Sequence, residues 1–146
     1  MQSPQEPTTV DPAWLTAQLA AAGQLPRGRV VEVRAESLGE SMGFLSRIAR
    51  LSPLYEGDAE GAPPHLILKL HTVEPGFSKV AERLCAFDRE YGFYRELASK
   101  VPTRLPVFYA GHSAGGKGWL LMEDLSQLQK GDQVHGLSNE QVSQTL

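Results

Sequence analysis

The chain has 146 residues, a hydrophobic content of 41% and a net charge of −3, values typical of one soluble globular domain with its own core. The small negative charge argues against a basic surface for nucleic acid or anionic lipid, and the apolar runs are far shorter than the roughly 18 residues of a membrane span. The single cysteine, Cys85, and an N-terminus that lacks the basic and apolar regions of a signal peptide indicate a cytoplasmic protein.

The N-terminal part predicts a tail followed by a helix. Residues 1–10 are polar, contain two prolines and show no periodicity, which is typical of a disordered tail. In the next segment Asp11 is a capping residue, Pro12 fits the first helical turn, and Gly23 supplies a left-handed stop. The apolar residues between them recur at helical spacing, so we expect an amphipathic N-terminal helix.

Three strand-like segments follow. Residues 29–38 and 44–55 have period-2 patterning and are separated by the turn Gly39–Gly43. A second turn, rich in glycine and proline, leads into a third strand, Leu66–His71. Consecutive strands joined by short turns predict an antiparallel meander.

A long helical pattern then covers residues 76–100, and the prolines of residues 101–106 end it. Its predicted core stripe consists of Val80, Leu84, Phe87, Tyr91, Tyr94 and Ala98, and Asp88 is expected on the outer face of the helix. Residues 107–113 and 118–125 read as two further strands joined by a glycine-rich turn. The order predicts an α+β fold, with a five-stranded antiparallel sheet, one long packed helix and the N-terminal helix.

Lys69 is the unusual residue of the third strand. Leu66, Leu68 and Leu70 alternate on one face of that strand, whereas Ile67 and Lys69 lie on the other. An isolated strand lysine usually extends its ammonium group to water. A second reading is an ion pair with Glu90, which lies on the predicted core face of the long helix.

For Glu90 the alternative is a pair on the helix surface. The turn Gly39–Gly43 adds a further signal, because glycines at both ends allow backbone N–H groups to form an anion-binding nest. Alone this signal is weak, since many hairpins contain such glycines. The signal is stronger here, because the strand that follows the turn is itself followed by the strand that carries the inward-facing Lys69.

The order of four segments, LGESMGFLSRIARL, LILKL, FDREYGFYREL and GWLLMEDL, resembles the N-terminal lobe of the aminoglycoside phosphotransferase and choline kinase superfamily. Within this superfamily the ecdysteroid-kinase-like branch is the most similar. The resemblance runs from about residue 11 to residue 146. It implies a protein-kinase-like fold and a small-molecule kinase that uses ATP with Mg²⁺.

The resemblance also implies roles for residues at the phosphate end of an ATP site. The loop over the phosphates would consist of Gly39, Glu40, Ser41, Met42 and Gly43. Ser41 stands where relatives often have glycine, which would reduce the flexibility of the loop. Lys69 would hold the α- and β-phosphates, and Glu90 would orient Lys69 through an ion pair.

At the base end, the resemblance implies that Leu38 and Ile67 line the adenine pocket. The segment that follows Met122 would be the hinge. There the carbonyl of Glu123 and the N–H of Leu125 would bind the adenine edge, so backbone placement matters more than the identity of the side chains.

The family's catalytic loop, His-Gly-Asp followed by Asn, and its later magnesium-binding Asp have no match in the chain. The segment His135–Asn139 has Leu137 at the position of the aspartate. We therefore expect an ATP-binding lobe over residues 11–128 and the start of a missing second lobe over residues 129–146. Such a chain would be inactive alone. It would be a natural truncation, an incomplete sequence or a trimmed form.

The missing lobe would supply the magnesium ligands and bind the small-molecule acceptor, whose identity the sequence does not indicate. Two alternatives stay open. One is a non-catalytic module whose exposed cleft face binds a protein partner. The other is an α+β domain without nucleotide binding, in which Lys69 reaches water and Glu90 is solvated. A weaker affinity for nucleotide after Lys69→Ala would favour the kinase lobe over both.

Overall fold

The computed structural model describes residues 3–38 and 45–128, together with Gly136, Ser138, Glu140 and Ser143. Its helices are α1 (Pro12–Ala21), α2 (Pro75–Arg83) and α3 (Ala86–Gly92), the last continued by a π-helical turn (Phe93–Leu97) and a 3₁₀ turn (Ala98–Lys100). Its strands are β1 (Arg27–Ser37), β2 (Ser46–Asp58), β3 (Leu66–His71), β4 (Phe108–Ala114) and β5 (Lys117–Glu123). All strand pairs are antiparallel, in the order β1-β2-β3-β5-β4. The predicted α+β class and five-stranded antiparallel sheet are confirmed.

Helix α1 covers one face of the sheet, and its ends are as predicted. The Asp11 carboxylate accepts a hydrogen bond of 2.9 Å from the Ala13 N–H, and Gly23 follows the helix with φ +72°. The apolar stripe of α1 is buried in the main core, where the Trp14 and Trp119 rings meet edge to face at 4.9 Å. The Val30 N–H donates to Thr16 Oγ1 at 2.9 Å, which ties β1 to α1.

The central strand β3 separates two apolar clusters. Leu66, Leu68 and Leu70 are buried in the cluster that includes α1. On the opposite face α3 contacts β4 and β5, where Phe87 is buried in a smaller cluster with two residues of β5. The sheet therefore lies between α1 and α3, and the half-buried Ile67 and Lys69 lie on the α3 side.

The single long helix expected over residues 76–100 is wrong, because the chain breaks between α2 and α3. Cys85 adopts a left-handed conformation with φ +49°, which is uncommon for a residue other than glycine. The reason is a close approach between α2 and the turn that joins β4 to β5. A Cβ on Gly116 would lie 2.6 Å from the Glu82 Cα, so the backbone of α2 sits directly on this turn and α3 must start in a new direction.

The break also corrects the predicted core stripe. Val80 and Leu84 are 45% and 48% exposed, whereas Ala81 is buried. Asp88, expected on the outer face of the helix, instead accepts hydrogen bonds of 2.7 Å from Ser113 Oγ and 2.6 Å from the Gly116 N–H. A small residue at position 81 and a carboxylate at position 88 thus dock the two helices on the β4–β5 turn.

The N-terminal segment, expected to be a disordered tail, contacts the sheet where the structure describes it. Arg47 Nη1 lies 2.7 Å from Glu6 Oε2, and Arg47 Nη2 donates to the Gln5 carbonyl at 2.9 Å. Pro7 is buried, and Val10 packs against the main core. Within residues 3–38 and 45–128, no helix is both long and apolar enough to cross a membrane.

Candidate functional site

The site is built around Lys69 in the middle of the sheet. In the register of β3, Lys69 lies opposite Ile48 of β2 and Leu120 of β5. Its Nζ is 2.7 Å from both carboxylate oxygens of Glu90. The predicted pairing of Lys69 with Glu90 is confirmed, so the lysine does not simply extend to water.

Helix α3 places Glu90 over the sheet through Phe87, which lies one turn earlier. Phe87 is fully buried against Leu120 and Met122, and this anchor fixes the helix relative to β5. The Lys69 Nζ also lies 5.9 Å from the centre of the Phe87 ring, within the range of a cation–π contact. The ammonium group is therefore held by a carboxylate and by the aromatic anchor of the same helix.

The ion pair lies at the margin of the covered region. The Lys69 and Glu90 side chains are 21% and 30% exposed, so both retain contact with solvent. Partial exposure keeps the desolvation penalty of the two charges moderate and leaves them within reach of a ligand. An ammonium group has three N–H donors, and among the residues that the structure describes only Glu90 accepts from Lys69.

An apolar strip continues from Lys69 toward β1. Opposite residues of antiparallel strands share a face, which places Ile48 and Ile67 beside the lysine, and both are half-buried. The Leu38 N–H donates to the Ile48 carbonyl at 2.9 Å, which continues this row to the end of β1. In the described part of the chain α3 covers the β4 and β5 side of this face.

The predicted hinge residues lie at the end of β5. Met122 is buried opposite Ile67, facing the Phe87 cluster. The Glu123 N–H donates to the Val107 carbonyl at 2.8 Å, and the carboxylate of Glu123 accepts from Arg104 at 2.6 Å. The hydrogen bond from Arg104, followed by one from the Val107 N–H, lowers the pKa of Glu123.

The remaining residue of the predicted hinge, Leu125, is half-buried, and its carbonyl accepts a hydrogen bond of 2.9 Å from the Leu128 N–H. The structure thus brings Ile67, Lys69, Glu90 and Met122 together on one face. Binding of adenine by the backbone of Glu123 and Leu125 stays a prediction.

A second ion pair on this face was not predicted. Asp124 is only 5% exposed and accepts from Arg50 Nε at 2.6 Å. Arg50 Nη2 also donates to Ser126 Oγ, and the Ser126 N–H donates to Asp124 Oδ1 at 2.8 Å. The sequence does contain a signal for this pair, namely Arg50 in an apolar part of β2, where a charged side chain needs a partner; in the structure Arg50 lies opposite Ile67. Its partner lies 74 residues away in the chain, beyond the reach of local patterns.

The environment of Asp124 gives its charge a role in stability. Burial alone would raise the pKa of this carboxyl group, but the hydrogen bonds from Arg50 and Ser126 together lower it. A carboxyl group whose pKa is lower in the folded state stabilises the fold above its unfolded pKa of about 3.9. That stabilisation is lost as the pH falls through the lower, folded value.

We therefore expect Asp124→Asn to reduce the free energy of unfolding by about 1–3 kcal/mol at neutral pH, and by less as the pH falls below the unfolded pKa of about 3.9 and through the lower pKa of the folded state. Urea unfolding of both forms across this range measures the difference. Asp58→Asn is the control, because the exposed Asp58–Arg27 pair should contribute little. An equal loss for Asp124→Asn at neutral and acidic pH would show that its charge does not contribute.

Several predicted positions lie outside the described residues. They are the loop residues Gly39, Glu40, Ser41, Met42 and Gly43, together with His135, Leu137 and Asn139 of the segment that was compared with the family's catalytic loop. The described residues also do not fit a magnesium site, since no three His, Cys, Asp or Glu side chains among them converge where a metal ion could bind.

The chain shows no significant similarity to any protein-family model, any curated protein or any solved structure.

Proposed function

We propose that the chain is the ATP-binding lobe of a small-molecule phosphotransferase, and that Lys69 contacts the phosphates of the nucleotide. The observation that carries this proposal is the ion pair between Lys69 on the third strand and Glu90 on the helix that follows. Kinases of the protein-kinase type require this arrangement, a strand lysine on the α- and β-phosphates and a helix glutamate that orients it.

The surroundings of the pair support a nucleotide more than a purely structural role. Lys69 is partly exposed and is next to an apolar strip formed by Leu38, Ile48 and Ile67. A cation beside an apolar strip matches the chemistry of a nucleotide, whose phosphates are anionic and whose base is flat and apolar on its faces. Glu90 keeps the ammonium group in place when no phosphate is bound.

The reaction class is the transfer of the ATP γ-phosphate to a hydroxyl group of a small molecule. The described residues supply binding only, since Asp88 and Asp124 are both engaged in hydrogen bonds that hold the fold together. The base that accepts the hydroxyl proton and the magnesium ligands belong to the second lobe in this proposal. We therefore expect ATP binding by this chain without phosphate transfer.

The test is the thermal midpoint of the full chain with and without ATP and Mg²⁺. At an ATP concentration of about 100 times Kd, the midpoint of the wild type should rise by about 5–10 °C. Lys69→Ala should abolish the rise, because it removes the phosphate contact. The matched control is Lys79→Ala, which removes an exposed lysine of α2 and should leave the rise intact.

The other outcomes identify the alternatives. A well-folded wild type whose midpoint does not respond to ATP would overturn the proposal for this chain and favour a protein-interaction module. A rise that persists in Lys69→Ala would show that the nucleotide binds away from the Lys69–Glu90 pair.

A further inference from the structure

The network of Arg50, Asp124 and Ser126 joins two segments on which the base end of the proposed site depends. Arg50 belongs to β2 and lies opposite Ile67, so its side chain emerges beside that residue on the same face. Asp124 and Ser126 flank Leu125 in the segment after β5. The guanidinium group therefore crosses the end of β3 and connects β2 to the predicted hinge.

Both donors of the guanidinium group that face the hinge are used. Arg50 Nε donates to the Asp124 carboxylate at 2.6 Å, and Arg50 Nη2 donates to Ser126 Oγ. A planar group held at two points has a fixed orientation, unlike an ammonium group. The Ser126 N–H donates to the other oxygen of Asp124 at 2.8 Å, so the same carboxylate also fixes the backbone of the hinge.

The hinge is held from the opposite side as well. Glu123 donates its N–H to the Val107 carbonyl at 2.8 Å, and its carboxylate accepts from Arg104 at 2.6 Å. The segment is thus tethered toward β4 through Glu123 and toward β2 through Asp124. Loss of one partner leaves the other charge unpaired and is costly, but compared with apolar side chains of similar volume such a pair adds little stability, because desolvation offsets most of the attraction. What it supplies here is a defined position for the backbone.

We propose that Arg50 is a positioning residue for the nucleobase: through Asp124 and Ser126 it holds the hinge backbone where the base binds. This inference rests on the proposed ATP-binding function. It assigns the two ion pairs to opposite ends of the ligand. Lys69 acts on the phosphates, and Arg50 acts on the base two residues away along β3, a distance of about 7 Å.

The test compares ATP with inorganic tripolyphosphate, which carries the phosphates but has no base. Binding of each to the full chain is measured by titration calorimetry for the wild type and Arg50→Met. We expect Arg50→Met to weaken ATP binding about tenfold or more and to change tripolyphosphate binding by less than about twofold. Arg34→Met is the control, because Arg34 is an exposed arginine of the edge strand β1, and it should change neither affinity.

If Arg50 had only a structural role, Arg50→Met would weaken the binding of ATP and of tripolyphosphate to the same extent. That result would overturn the inference, and so would an unchanged affinity for ATP. Ser126→Ala keeps the buried ion pair and removes only the outer contact, so it provides the same test if Arg50→Met does not fold. We expect it to weaken ATP binding about two- to threefold, again without effect on tripolyphosphate; an unchanged ATP affinity would contradict the inference.

The two proposals fail in distinguishable ways. ATP binding that is lost in Lys69→Ala but unchanged in Arg50→Met and Ser126→Ala would overturn the positioning role alone. A wild type that binds neither ATP nor tripolyphosphate would overturn both.

Discussion

Replacement of both members of the central ion pair, in Lys69→Met/Glu90→Leu, is expected to leave the free energy of unfolding within about 1 kcal/mol of the wild type. The same variant should lose the ATP-induced rise in thermal midpoint completely. The reason is that two charges which are mostly removed from water lose about as much hydration energy as their attraction returns, and apolar side chains of similar volume fill the same space.

The single variants should behave differently. Lys69→Met leaves the Glu90 carboxylate without its partner, and Glu90→Leu leaves the Lys69 ammonium group without its partner. Each single variant should therefore reduce the free energy of unfolding by about 1–3 kcal/mol. Urea unfolding of the four forms gives the coupling energy of the pair. The exposed Arg29–Glu56 pair across β1 and β2 is the control, and its coupling should be smaller.

A double variant that loses as much stability as the two single variants together would contradict this expectation. In that case the coupling energy would be zero, so each side chain would contribute to the fold independently of the ion pair, and the pair would no longer favour a phosphate site. A stable double variant without a response to ATP would instead separate function from stability at a single pair of residues.

Phe87→Ala is expected to have the largest effect on stability, about 3–5 kcal/mol. Phe87 is fully buried against Leu120 and Met122, and its loss leaves a cavity under α3. A helix of only seven residues has little stability of its own and depends on this packing. Without its anchor, α3 should also fail to hold Glu90 against Lys69.

Two measurements test this expectation, the urea midpoint and the ATP-induced rise in thermal midpoint. Phe87→Leu is the matched control, because it keeps most of the apolar volume and should cost less than about 1.5 kcal/mol. If Phe87→Ala lost less than about 1 kcal/mol, α3 would be held by other contacts, and the link between the Phe87 cluster and the ion pair would be wrong.

The local elements of this protein were predictable because their signals lie within a few residues of each other. A capping aspartate, a proline and a glycine define α1, and alternation of Leu66, Leu68 and Leu70 defines β3 and its buried face. The pairing of Lys69 with Glu90 was also predictable, since a charge on a core-facing position of each element requires a partner of opposite sign.

The break between α2 and α3 was not predictable from spacing. The apolar residues Val80, Leu84 and Phe87 recur at helical intervals on both sides of Cys85, so the local pattern favours one continuous helix. What ends α2 is the β4–β5 turn, which approaches closely at Gly116 and hydrogen-bonds to Asp88. That turn lies far along the chain, and only packing brings it to the helix.

Local signals are therefore sufficient to predict α1, the five strands and the pairing of opposite charges at the centre of the sheet, because capping, periodicity and a charge on a core-facing position can each be recognised within one element. Only the tertiary structure decided the position of β5 between β3 and β4. The pairing of Arg50 with Asp124 follows from it. Both depend on the register between strands that are distant in the chain, and register is a property of the assembled sheet rather than of any one segment.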